Sequence, residues 1–383
     1  MGIEDQKFLK GLTYDDILLL PGYVDFTRSD IDLSTQLTKK IKLSFPLVSS
    51  PMDTVTESKL AISLAKIGGI GIIHRSLSIK NQVVEIKKVK LQKQIAGAAI
   101  GTMKGYEKRV RALVDSKVDV VVIDTAHGYT KFVIDALKYI KKTYPKLQVI
   151  AGSIATADAA KALIDAGADG LRVGMGPGSI CTTRVISGMG VPQITAIIES
   201  ASVAKKHGVP VIADGGIKHS GEIVKALAAG ASTVMMGSMF AGTKEAPGRV
   251  VELEAKNVPR RFQSILNGKT NKFKFKQYRG MGSLPAMKHG ASIQAEDEFH
   301  GKSFSSRKVL VAEGVEGFTP YRGTLQDVVD QLEGGIRSGF FYVGARNINE
   351  LWKKAKFTQI TQASLNENHP HDILVTDPGQ NYL

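Results

Sequence analysis

The sequence predicts an α/β protein built as one closed (β/α)8 barrel, and three observations predict it. From residue 45 onward, short β-branched runs alternate with amphipathic stretches of helical period, eight runs in succession. The succession is unbroken, whereas a doubly wound sheet needs fewer strands and a reversal of their order. With 383 residues, 43% of them hydrophobic, the chain can bury a core of that size.

The elements follow in order. The runs are "FPLVSS" (45–50), "GIGIIHR" (69–75), "IAGAAIG" (95–101), "VDVVVIDTA" (118–126), "LQVIAGSI" (147–154), "GLRVGMG" (170–176), "PVIADGGI" (210–217) and "STVMMGSMFAG" (232–242). Thr56 is placed to cap the helix "ESKLAISLAKIGG", and Ser220 to cap "GEIVKALAAG". "AGADG", "HGVP" and "AAGAS" put glycine where a helix ends before the next strand. Residues 243 to about 322 break the rhythm with a basic, glycine-punctuated excursion, and an amphipathic helix follows at about 324–338. An excursion of that length reads as a closing lid, with its middle, "HGASIQAEDEFHGKSFSSRK", disordered in the resting state. The chain thus reads as one domain, 1–383, with 243–322 inserted in it.

The formal charge is +15, yet the basic residues are scattered over polar helix faces such as "IKKVKLQK" and "YIKKTYPK". Only "KTNKFKFKQYR" (269–279) alternates basic and aromatic residues with a strand's period. The reading therefore disfavours nucleic acid and favours small anionic ligands, which such a charge steers. A lone cysteine makes no internal disulfide, "MGIEDQKFLKG" has no apolar signal region and Gln6 stands where a myristoylation signal wants Ser or Thr. No apolar run is long enough to span a bilayer. A cytoplasmic protein that binds no membrane is expected.

Barrels carry their chemistry on the loops after the strands. That rule selects "SSPMDTVTE", "DTAHGY", the loop "GMGPGSICTTR", "DGGIKHSG" and "GSMFAG" as one mouth. The last two are where barrels hold a phosphate on glycine amides, so Gly215, Gly216, Gly237 and Ser238 are candidate donors, with Asp214 an acceptor for ribose hydroxyls. Cys181 is either an inert small hydrophobe or a nucleophile. Its place after the sixth strand, among the exposed amides of Gly174, Gly176 and Gly178, favours the nucleophile, and Thr183 can relay its proton. His369 and His371, with no cysteine or third histidine nearby, do not make a zinc pattern.

Six motifs in one order, "SSPMDTVTES", "GMGPGSICTTRVISGMGVPQITAI", "IADGGI", "YRGMGS", "AEGVEG" and "LNENHPHDI", resemble the IMP dehydrogenase family, whose nearest relatives are the GMP reductases. The resemblance covers most of residues 8–372. It implies that the Cys181 thiolate adds to C2 of IMP, that hydride passes to NAD, and that a thioimidate is hydrolysed to xanthosine monophosphate in guanine nucleotide synthesis. Ser179, Asp214, Gly215, Gly216, Gly237, Ser238 and Tyr278 would surround ribose and phosphate. Ser50, Met52, Gly280, Met281, Gly282 and Glu313 would meet the base. Asp124, Thr125, Ala126, Gly174, Met175 and Gly176 would meet the dinucleotide. Carbonyls of Gly176, Gly178 and Cys181 would hold potassium, completed by Glu367, Asn368 and His369 from a neighbouring subunit of a homotetramer.

Two departures from the family stand out. The paired CBS modules often inserted before the third strand have no counterpart, because "IKKVKLQKQIAGAAIG" runs straight through. The flap Arg-Tyr pair that activates the hydrolytic water is replaced by Gln294 and Ala295. Water activation then falls to Thr183 with Glu313, or to Arg307 or His300, or the hydrolytic half-reaction is not performed. GMP reductase, GMP to IMP with NADPH, is the alternative, since a Thr-Glu pair manages ammonia release there; "MDTVTE", "YRGMGS", "GVPQITAI" and "HPHD" are dehydrogenase-like. A nucleotide-binding homologue without turnover is the reading from another class, against which the intact Cys181, Thr183 and Glu313 stand.

Overall fold

The eight runs become strands β1 (Leu47–Ser49), β2 (Ile70–Ile73), β3 (Gly97–Ile100), β4 (Val120–Asp124), β5 (Gln148–Ile154), β6 (Gly170–Val173), β7 (Val211–Asp214) and β8 (Thr233–Met236) in a computed structural model that describes residues 10–258, 271–297 and 311–373. Every strand pairs in parallel with the next, and β8 returns to β1 with Val234 opposite Leu47, which closes the ring. Outside it lie α1 (Ser58–Lys66), α2 (Ile79–Leu91), α3 (Tyr106–Asp115), α4 (Lys131–Thr143), α5 (Ala157–Asp165), α6 (Gln193–Ala204), α7 (Ser220–Ala228) and α8 (Leu325–Val343). The expected barrel is the observed one.

Side chains alternate across a strand, so each strand feeds two cores. Val48, Ile70, Ile72, Ala99, Val120, Val122, Ile150, Ile212 and Met235 fill the interior, floored by Leu37 and Leu43 of the hairpin Thr35–Gln36/Lys42–Leu43. Their neighbours Leu47, Ile73, Ala98, Val121, Val149, Leu171 and Val234 pack outward in the larger core shared with the helices. Carried to the strand ends, the inward parity delivers Ser50, Asp124, Arg172, Asp214 and Gly237 to the mouth.

Both predicted helix caps are corrected. Thr56 is fully buried, and its hydroxyl bonds Ser49 Oγ and donates to Ser50 O, both at 2.7 Å, bracing the β1 loop. The first turn of α1 is capped from another element instead, Ser58 N donating to Glu85 Oε2 of α2 at 2.7 Å. Ser220 is the first residue inside α7; Glu222 Oε2 accepts from the amides of Lys218 and His219 there. In both cases a carboxylate reached the free amides and the hydroxyl did not.

The helix expected at about 324–338, α8, exceeds that span by a turn. Thr324 caps it, Oγ1 accepting from Asp327 N at 3.2 Å, and it runs on to Val343 through Gly334, Gly335 and Gly339. Two of them are packing sites: a Cβ at Gly335 would meet Ser220 Oγ at 2.0 Å and one at Gly339 would meet Val224 Cγ2 at 2.7 Å, so the lack of side chains there lets α8 lie close on α7. The insertion forms an antiparallel sheet of β9 (Val250–Glu254), β10 (Lys272–Arg279) and β11 (Glu316–Pro320), with a helix over Leu284–Asp297. Disorder is therefore not found over residues 289–297, which are helical; the remainder of that stretch, with His300 and Arg307, lies outside the described residues. The alternating run 269–279 does supply a strand, but Lys276 is 2% exposed and donates to Ala246 O at 2.5 Å, so the strand presents no continuous basic face.

Candidate active site

Beyond β6 the chain turns through Gly174, whose φ of +150° only glycine adopts easily and whose Cβ would fall 2.0 Å from Asp214 O. The loop consequently leaves β6 pressed against the end of β7. Gln193 Nε2 ties the two together, donating to Val173 O at 2.9 Å and Asp214 O at 3.1 Å. Arg184 holds the far side of the loop, with Nε on Met175 O at 3.1 Å and Nη2 on Val191 O at 2.7 Å. The other flank is clamped by the chain before β11. Thr182 N donates to Glu313 O, Val315 N to Ile180 O, Glu313 N to Gly282 O and Gly280 N to Val315 O, all at 2.9–3.0 Å.

Three side chains meet inside that clamp. Cys181 is partly exposed, and its thiol donates to Thr183 Oγ1 at 3.2 Å; Thr183 in turn donates to Glu313 Oε2 at 2.9 Å. This is no inert core sulfur. Thiol, hydroxyl and carboxylate thus form one hydrogen-bonded line from Cys181 to Glu313.

Charge at the mouth is organised by Arg172, a residue that the sequence reading did not select. Its Nη1 donates to Asp124 Oδ1 at 2.5 Å, and its Nε and Nη2 reach Asp214 Oδ2 at 2.8 and 2.7 Å. Arg75 Nε approaches the other oxygen of Asp124 at 3.2 Å. Burial alone would raise Asp124, but the two guanidinium groups outweigh it and hold the carboxyl below the usual range. Burial pushes Asp214 up and the charge of Asp124 adds to the rise, which Arg172 and the Ser50 hydroxyl oppose without cancelling it. Arg172 stays charged despite its burial, since two carboxylates face it. A lone arginine at an inward position of the apolar run "GLRVG" was the available signal.

The cradle beside this network takes shape from β7, β8 and the insertion. Gly215 and Gly216 have φ of +92° and +80° and turn against Pro177 of the cysteine loop. A Cβ at Gly237 would meet Tyr278 Oη at 2.6 Å and Met52 Sδ at 3.2 Å, and Ser238 opens the short helix that follows. Tyr278 is buried, which raises its hydroxyl well above the ordinary tyrosine range; Asp214 adds to that, and Ser179 beside it opposes. Ser50 lies beside Asp214. So Ser50, Met52, Ser179, Asp214, Gly237, Ser238 and Tyr278 converge, and beyond Arg279 come Gly280, Met281 and Gly282, the last accepting from Glu313 N.

Other expected residues sit further out. Thr125 turns its hydroxyl to Gly152 O at 2.8 Å, Ala126 is exposed, and Met175 lies between Gly174 and Gly176 in the loop. Glu367, Asn368 and His369 are exposed at the end of the helix Gln362–Glu367, which packs on the turn Tyr14–Asp16. Gln294 and Ala295 fall on the helix Leu284–Asp297, their side chains outside the described part.

Comparison with known proteins matches residues 11–371 to the IMP dehydrogenase / GMP reductase domain. The chain is 38% identical to an inosine-5'-monophosphate dehydrogenase of Aquifex aeolicus (strain VF5), over 506 aligned positions that cover 99% of each chain. It is 37% identical, with the same coverage, to proteins of that name from Staphylococcus epidermidis (strain ATCC 12228) and Staphylococcus aureus (strain NCTC 8325). An alignment longer than this chain's 383 residues means that these relatives hold segments with no counterpart here.

Proposed function

Because the chain belongs to the IMP dehydrogenase / GMP reductase family, we propose that it oxidises IMP to xanthosine monophosphate, on the way to guanine nucleotides, with Cys181 as the attacking group and NAD as the hydride acceptor. The observation that carries the proposal is the hydrogen-bonded line from Cys181 through Thr183 to Glu313, two segments that lie 130 residues apart in sequence. The thiol proton moves along it to Glu313, and the sulfur adds to C2 of the purine ring. Amides at Gly215, Gly216, Gly237 and Ser238 hold the phosphate, and Asp214 accepts from ribose hydroxyls. Loss of hydride from C2 leaves a thioimidate on Cys181. Water then adds at C2, the C–S bond breaks, the sulfur recovers a proton, and xanthosine monophosphate is released.

Bound NAD would supply the oxidising power. The mouth suits it, because Asp124 is held ionised by Arg172 and Arg75 and its carboxylate would accept from ribose hydroxyls, with Gly174, Met175 and Ala126 as the further dinucleotide contacts. Potassium fits the backbone carbonyls of Gly176, Gly178 and Cys181, the neutral oxygen ligands such an ion takes, with Glu367, Asn368 and His369 supplied by a neighbouring copy in a homotetramer. Five residues, 92–96, join α2 to β3, so control through modules inserted at that point is not expected. Among the described residues no helix is long and apolar enough to cross a membrane; a cytoplasmic setting is part of the proposal.

Purified protein with potassium, IMP and NAD is expected to form NADH and xanthosine monophosphate, and Cys181→Ala to abolish both. Consumption of GMP and NADPH instead would select the reductase, a reading favoured by the contact of Thr183 with Glu313, the pair that would manage ammonia. A burst of NADH equal to the enzyme, followed by near silence, would mean that hydride leaves but the thioimidate waits for water, Gln294 and Ala295 standing where an arginine and a tyrosine serve the relatives. No turnover with tight IMP binding would leave a binding protein.

A further inference from the structure

Asp53 and Arg279 take no part in the scheme above, yet they fasten the insertion to the barrel beside the purine. Arg279 Nε donates to both oxygens of Asp53 at 3.0 Å and Nη2 donates to Oδ2 at 2.5 Å, while its backbone N–H donates to Thr54 Oγ1 at 3.2 Å. The Asp53 side chain is 5% exposed, so the pair sits largely out of water. Asp53 adjoins Met52 on the β1 loop. Arg279 lies between Tyr278 and Gly280, at the end of β10, where the chain turns to present Met281 and Gly282. Its Nη1 also stands 3.9 Å from Glu316 Oε2, three residues past Glu313.

We propose that Asp53 and Arg279 are positioning residues that set the width of the purine slot between the Met52 wall and the Met281 wall, a role resting on the nucleotide reading given above. A guanidinium fork on a carboxylate fixes distance and plane together, which a lysine ammonium on the same carboxylate does not. The Arg279 N–H to Thr54 Oγ1 bond joins the same two segments, and the side-chain fork adds the restraint on distance and plane, Met52 being on a loop of the barrel and Met281 on the insertion. Removing one partner leaves a buried charge without its counter-ion, and the two segments part to admit water. The shift reaches the sulfur as well, since Gly280 N holds Val315 O and Val315 N holds Ile180 O, both at 2.9 Å.

Cys181 is the only cysteine of the chain, so alkylation by iodoacetamide reports on this slot alone. The test compares the IMP concentration that half-protects Cys181, together with KM for IMP and for the dinucleotide, in the parent, Asp53→Asn, Arg279→Lys and the double variant. Each single variant is expected to raise half-protection and KM for IMP by about tenfold to a hundredfold, leaving KM for the dinucleotide within about twofold. The double variant should cost no more than the worse single one, because the two act as a unit. Arg279→Lys keeps the charge and carries the test if Asp53→Asn does not fold. Unchanged half-protection in folded variants, or an equal rise in both KM values, overturns the role of the pair. A parent whose cysteine IMP never protects overturns the nucleotide reading itself, and the pair's role with it.

Discussion

Asp124 shows how one residue's surroundings decide its charge. Its carboxyl is buried, yet Arg172 and Arg75 keep it ionised below the usual range. A carboxyl depressed in the fold stabilises at pH values above its unfolded value of about 3.9, and that contribution disappears as the pH falls through the folded value. The parent should therefore exceed Asp124→Asn in urea midpoint near neutrality, by a margin that shrinks between about pH 5 and pH 3. A margin that widens on acidification would show the opposite shift. Cys181 makes a related point: sequence placed it among exposed amides and named Thr183 and Glu313 as its companions, but the hydrogen bonds that join the three are set by the fold.

Among the elements, the loop after β6 depends on backbone as much as on side chains. Gly174 combines a left-handed φ with an approach to Asp214 O that no Cβ can share. Gly174→Ala should lower stability by about 1–3 kcal/mol, read in denaturant unfolding, and should slow alkylation or turnover at Cys181 by moving the loop away from β7. An unaltered loop, seen as parent-like stability and alkylation, would mean that the close approach is dispensable. Strands and the helix stops were legible in the residues, because a period of two and a glycine after a helix are local signals. Caps were less so: at Ser58 the acceptor came from Glu85 on the next helix, and no spacing rule reaches across a strand.

For the whole molecule, ring closure turns eight separate loops into one mouth, and three apolar side chains stand exposed just past Cys181. Val185 is 84% exposed, with Ile186 and Met189 also exposed, all within eight residues of Cys181. In the proposed homotetramer a second copy covers them, as burial of such side chains rewards. Sedimentation should give a four-chain mass, and Val185→Asp should shift it to smaller species with lower activity; a monomeric parent of full activity would remove the need for a neighbour at the potassium site.

By itself the sequence determined the period of the strands, the number of units, the barrel and the loops that hold the chemistry, along with the family its motifs resemble. Tertiary structure alone decided that Arg172 spans Asp124 and Asp214, that Glu313 closes the line from Cys181, that Asp53 grips Arg279 and that Thr56 braces a loop instead of capping a helix. The physical reason is range. Periodicity and turn chemistry act over a few residues and are written locally, whereas each of those partnerships joins groups brought together by closing the ring or by packing the insertion on it, and the selectivity lies in geometry that no local pattern encodes.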